Sequence, residues 1–140
     1  MIKIKGIETL DILTPDVPRM ANFYNGTLGI PFYIPWNGEK DLCSLDIGGL
    51  VVCLMHTNNK TPPPHHSMQF DTDPSGFDSI ALAVDNIHEA FAALDGKVDW
   101  VRREPVELRY PNGAYHINFA FHDPDGNMIY IQESKFVRPW

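Results

Sequence analysis

Asp11, His116 and Tyr130 supply a carboxylate, an imidazole and a phenol, the groups that move protons in isomerisations and cyclisations. Each falls in a strand-like run, so acid–base chemistry would require those runs to turn the three side chains onto one surface. Metal chemistry is harder to assemble. His116 and His122 share strand parity but stand six residues apart, about 20 Å along a strand, too far to hold one ion. His65 and His66 follow three prolines in a polar stretch and read as solvated residues. Cys43 and Cys53 lack metal-type spacing, and a mid-strand cysteine such as Cys53 reads as a small buried apolar group rather than a nucleophile.

The elements that must position these groups centre on the run from His122 to Gln132. Its Asp-Pro-Asp-Gly-Asn core (123–127) is a tight reversal, with Pro124 presetting φ and Gly126 free to adopt positive φ. Both flanks alternate. Ile117, Phe119 and Phe121 share one face, and His116, Asn118, Ala120 and His122 the other; Ile129 and Ile131 oppose Met128, Tyr130 and Gln132. The second face is too apolar for open solvent and too polar for a core, which suits the wall of a ligand cavity.

Strand-then-helix occurs twice at one offset. Gly6–Thr14 reads as a strand, Asp16 as a helix cap, and Val17, Met20, Ala21 and Tyr24 as an apolar stripe ended by Gly29. Seventy residues on, Gly76, Asn86 and the stripe Ile87, Ala90, Phe91 and Leu94 repeat the pattern, with Gly96 as the stop. Strands are expected at Pro31–Trp36, Leu42–Ile47 and Leu50–His56, then around Trp100–Arg109, Tyr115–Phe121 and Met128–Glu133. Aligning Asp46 with Asp123 sets Cys53 on Tyr130. The expected organisation is therefore one domain of two repeated modules: residues 1–56, a Pro-rich linker at 57–75, and residues 76–140.

With a net charge of −7 and no Lys/Arg cluster, the chain is a poor partner for nucleic acid or an anionic membrane. No run approaches the length needed to span a bilayer, and Met1–Gly6 has no leader-type apolar segment. A cytoplasmic protein with reduced thiols is expected.

Taken together, Asp16 through Phe23, Tyr24, Leu28 and Gly29, the run Ile80–Ile87, and Asp123–Asn127 resemble the vicinal oxygen chelate superfamily of glyoxalases, bleomycin resistance proteins and extradiol dioxygenases. The resemblance implies an α+β fold of two βαβββ modules in tandem, whose open faces form a cupped mixed sheet, often completed in a homodimer. It also implies that the cup holds a divalent metal or a bound drug. Mapped by motif, the family's metal-ligand positions fall on Thr9, Cys53, Ser79 and Tyr130. Two hydroxyls, a thiol and a phenol are poor ligands for a hard divalent ion, so no metal or other cofactor is expected. A one-residue register slip would instead turn Glu8 and Asp78 inward.

Without metal, strand parity assigns Thr9, Asp11, Cys53, Met55, Ser79, His116, Asn118, Tyr130 and Gln132 to a ligand site. Trp36 and Trp100 are expected as aromatic walls. The expected function is binding of an aromatic or polar organic molecule. The alternatives are an enzyme of the same superfamily, metal-dependent or using Asp11, His116 and Tyr130 for proton transfer, and a partner-binding module with a vestigial cup.

Overall fold

The computed structural model describes residues 1–38 and 41–136, and the chain divides into two compact units, Met1–Thr61 and Pro62–Trp140. The fold is mixed α+β with two separate mixed sheets. From Pro62 onward, the proline-rich stretch belongs to the second unit.

In the first unit, β1 (Thr9–Thr14) lies parallel to β3 (Leu50–His56), which pairs antiparallel with β2 (Leu42–Ile47). Helix α1 (Val17–Ala21) is capped by the Asp16 carboxylate, which accepts the Arg19 N–H. The expected stripe of Val17, Met20, Ala21 and Tyr24 is fully buried. The helix widens into a π-helical segment, Asn22–Thr27, where the Leu28 N–H reaches the Phe23 carbonyl. Asn25 and Gly26 are weak helix formers, and the Asn25 side-chain amide closes the segment on the Ile30 carbonyl. Gly29, at φ +74°, supplies the left-handed turn that ends it. Of the strand expected at Pro31–Trp36, only a bridge between Phe32 and Leu45 forms.

The second unit orders β4 (Ser79–Ala83), β8 (Met128–Lys135), β7 (Tyr115–His122) and β5 (Asp99–Trp100), with β6 (Val106–Arg109) also paired to β7. The strand expected around Trp100–Arg109 is broken into two pieces. Pro105, which has no N–H to give a ladder, lies in the break. The two sheets share one register: Asp11 stands beside Cys53 as Ala81 stands beside Tyr130. Those pairs are related by offsets of 70 and 77, the offsets of the sequence repeat.

Helix α2 (Ile87–Leu94) covers one face of the second sheet. The Asn86 side chain accepts the His88 and Glu89 N–H groups. Beneath the helix, Phe91 stacks on Trp100 at 4.6 Å and meets Phe119 at 4.5 Å, while Phe121 meets Trp100 edge-on at 5.6 Å. Ile129 and Ile131 complete the layer, each fully buried branched side chain stabilising by about 1.5–3 kcal/mol.

Glu133 ties the sheet to this helix. One carboxylate oxygen accepts the Ile87 N–H at 3.0 Å and the other the Tyr115 hydroxyl at 3.0 Å. These hydrogen bonds, led by the Ile87 N–H, hold its pKa below the ordinary glutamate value. Because the folded value is depressed, the contribution is complete above the unfolded value, about 4.3, and is lost as pH falls through that value toward the folded one. Glu133→Gln should therefore flatten the decline in stability below about pH 4.3, measured by urea midpoints at stepped pH. An unchanged pH profile would contradict this assignment.

Candidate ligand cavity on the second sheet

The face of the second sheet away from α2 is left open by its own sequence. Small Ser79, Ala81 and Ala120 alternate with larger Tyr130, Asn118 and Gln132. Over it folds the segment that the sequence presents as solvated linker. His66 is 6% exposed, which corrects that expectation. Its Nδ1–H donates to Asp78 Oδ1 at 3.0 Å, since a carboxylate only accepts. Its carbonyl accepts the His122 Nε2–H at 2.7 Å, and His65 stacks on the His122 ring at 5.0 Å.

Asp73 closes the loop: its carboxylate accepts the Ser67 and Gln69 N–H groups and the Ser67 hydroxyl. Those bonds, led by the Ser67 N–H, hold its pKa low. Met68 is held at φ +64°, the single non-glycine residue with positive φ among those described, and packs against the cluster of Ala120, Met128 and Tyr130. Val101 packs there too.

Between loop and sheet lies a cavity of about 790 Å³, lined by Asp78, Ser79, His116, Asn118, Tyr130 and Gln132 and walled by Met68, Phe70, Val106 and Leu108. Asn118 is 7% exposed, and its Oδ1 has no hydrogen-bond partner among the described residues. Burial pushes the Tyr130 phenol up to about 12, and the Asp78 and Asp73 charges add to the shift. At neutral pH it is a hydrogen-bond donor, not a base.

The cavity thus brings together five of the sequence-derived candidates: Ser79, His116, Asn118, Tyr130 and Gln132. Thr9, Asp11, Cys53 and Met55 lie on the corresponding face of the first sheet, with Asp11 directly beside Cys53 and Thr9 beside Val51. Burial, then the Asp11 charge, raises the Cys53 thiol above its ordinary pKa, which disfavours the thiolate a nucleophile needs. Cys43 is pushed up to about 11, chiefly by burial; both cysteines are free.

Two expected aromatic walls are placed elsewhere. Trp100 pairs with Phe121 and lies under α2, on the face opposite the cavity, because the break after β5 fixes its parity. Trp36 lines a separate depression of about 280 Å³ in the first unit, with Ile34, Leu42 and Ser44. The residues that sequence reasoning missed are the loop groups His66, Met68, Phe70 and Asp73. Their only signal was a connection too long to be idle.

A model of the glyoxalase/bleomycin resistance protein/dioxygenase superfamily matches residues 6–131. The chain belongs to this superfamily. Among solved structures, a glyoxalase/dioxygenase from Nostoc punctiforme is 15% identical with a TM-score of 0.70, covering 94% of this chain and 92% of that one. An integron cassette protein from the mobile metagenome of V. cholerae is 24% identical with a TM-score of 0.65, covering 95% and 98%. A lactoylglutathione lyase from Agrobacterium tumefaciens is 18% identical with a TM-score of 0.59, covering 93% and 94%. At these identities the likeness is one of fold. No curated protein matches the chain.

Superfamily enzymes imply a divalent ion, and the four positions that resemblance assigns to it do not fit one. Thr9 and Ser79 are exposed hydroxyls, the Cys53 thiol is raised, and Tyr130 stays protonated. Asp78 reaches the cavity from the residue before β4 without any register slip. One potential ligand atom each from His66, Asp73 and Asp78 lies within 4.8 Å of the others. Those groups are already engaged with one another and with the loop backbone. No helix among the described residues is long and apolar enough to cross a membrane.

Proposed function

We propose that this superfamily member is a small-molecule-binding protein that works without a metal, holding an organic molecule against the open face of the second sheet. The observation that carries the reading is Asn118: a buried carboxamide oxygen without a partner, in the wall of a 790 Å³ cavity. Such an atom costs about 1–3 kcal/mol to leave unsatisfied, a cost a ligand's donor would remove. The cavity volume falls in the range of organic-ligand sites, with apolar walls and few polar groups. Tyr130 and Gln132 supply further hydrogen bonds, and His116, edge-on to Tyr110 at 6.1 Å, flanks them. The same reading places the protein in the cytoplasm as a homodimer. Leu13 and Leu42, 62% and 57% exposed on the open face of the first sheet, are side chains a second copy would cover.

Asn118→Leu tests the assignment because stability and binding should move in opposite directions. The near-isosteric apolar side chain removes the orphan oxygen, so stability should be unchanged or rise by about 1 kcal/mol in urea unfolding. Compounds that raise the melting temperature of the natural protein should bind this variant roughly tenfold more weakly. Equal affinity for both proteins would remove Asn118 from the site.

A further inference from the structure

The cavity is chemically lopsided. At one end Asp78 carries a carboxylate fixed by a buried histidine, so one oxygen is engaged by His66 and the other is left to the cavity that Asp78 lines. Asp73 stands close behind, its ligand atom within 4.8 Å of those of Asp78 and His66, and both carboxylates act on the Tyr130 phenol. Along the remaining walls Met68, Phe70, Val101, Val106 and Leu108 present hydrocarbon. Phe70 is 75% exposed, a ring with no protein neighbour over most of its surface. Arg102 and Glu104 also line the cavity, but both are exposed and of opposite sign, so solvent screening leaves them little net pull. The fixed charge carried by the half-buried groups at that end is therefore negative.

Resting on the ligand-binding reading above, we infer that the molecule taken by this cavity is an amphiphilic organic cation: a protonated amine on an apolar or aromatic body. Its ammonium group donates to the free oxygen of Asp78, a charge-assisted hydrogen bond to an acceptor that His66 has already oriented. Its body lies against Phe70 and the aliphatic walls, where an aromatic face also attracts the cation. The orphan Asn118 oxygen accepts from a second polar group of the same molecule. A carboxylate ligand would face the like charge of Asp78 and Asp73, and Arg102, the cation on the cavity lining, is exposed and screened. A neutral ligand would forgo the ion pair with Asp78.

Three probes of one size separate these cases: 1-naphthylmethylamine, 1-naphthylmethanol and 1-naphthoate, titrated into the full chain by calorimetry and by amide chemical shifts. The amine should bind roughly tenfold tighter than the alcohol, and naphthoate weaker than both. In Asp78→Asn, shown to be folded by circular dichroism, the amine should fall to within about twofold of the alcohol while alcohol affinity holds. Should that variant not fold, the comparison of the three probes on the natural protein decides alone. Equal binding of amine and alcohol, or a preference for naphthoate, overturns the cation inference and leaves the ligand cavity standing. No binding of any probe, with no shift at Asn118, Tyr130 or Gln132, overturns both.

Discussion

Asp123→Ala should destabilise the second unit by about 3–4 kcal/mol, measured from urea midpoints. Asp123 is 4% exposed, and one carboxylate oxygen accepts the N–H groups of Asp125, Gly126 and Asn127 at 2.9–3.0 Å. The other accepts the Asn127 side-chain amide at 2.9 Å. Alanine removes the shared acceptor of these four bonds in the turn joining the two central strands of the sheet, while the Gly126 N–H keeps its bond to the Asp123 carbonyl. Each hydrogen bond to a charged acceptor contributes about 1.5–3 kcal/mol, and water reaching the outer donors offsets part of the sum. Asp123→Asn keeps an acceptor oxygen and should cost about 1–2 kcal/mol. Equal losses in both variants would show that charge, not acceptor geometry, holds the turn. A loss below about 1 kcal/mol for alanine would contradict the account of the hairpin.

A second large effect is expected beneath α2. Phe121 is fully buried and meets Trp100 edge-on, so Phe121→Ala should cost about 3–5 kcal/mol. The lost transfer energy and the cavity left beside Trp100 both contribute, since Trp100 is itself held by Phe91 and Phe119 and cannot readily collapse into a void. Trp100 emission should shift as its surroundings loosen. Ligand binding should survive at temperatures where the variant is folded, because Phe121 lies on the face opposite the cavity. Loss of binding in folded Phe121→Ala would mean that the two faces are not independent.

These effects fall where the sequence pattern was strongest. The β7–β8 hairpin alternates strictly over both strands around a turn whose residues each have a conformational reason to be there, and the strands pair in that register. The stripe at Val17, Met20, Ala21 and Tyr24 was equally plain because burial on a helix repeats every three to four residues. Comparing the halves at offsets of 70 and 77 also located the paired positions, since two sheets of one register carry their side chains in equivalent places.

What was not legible lacked a period. His66 is held by its ring's hydrogen bond to Asp78 and Asp73 by bonds from Ser67 and Gln69, and nothing in a proline-rich polar stretch distinguishes that from solvation. As a result half of the cavity wall was invisible while the sheet half was named. Trp100 was misplaced for a related reason. It was named as a cavity wall from its place near a strand expected around Trp100–Arg109, whereas the chain breaks between Trp100 and Val106 and resumes in its own register, Trp100 pairing with Phe121 and Val106 with Asn118. Parity carries over only within an unbroken ladder.

The central claim is that a small organic molecule occupies the open face of the second sheet. It is tested most directly by mapping amide and side-chain chemical shifts of the natural protein against a fragment set of amines, alcohols and acids. The account predicts that binders shift the Asn118 side-chain amide together with Tyr130, Gln132 and the Met68–Phe70 loop. Binders that perturb only other residues, or a set in which nothing perturbs Asn118, would contradict it.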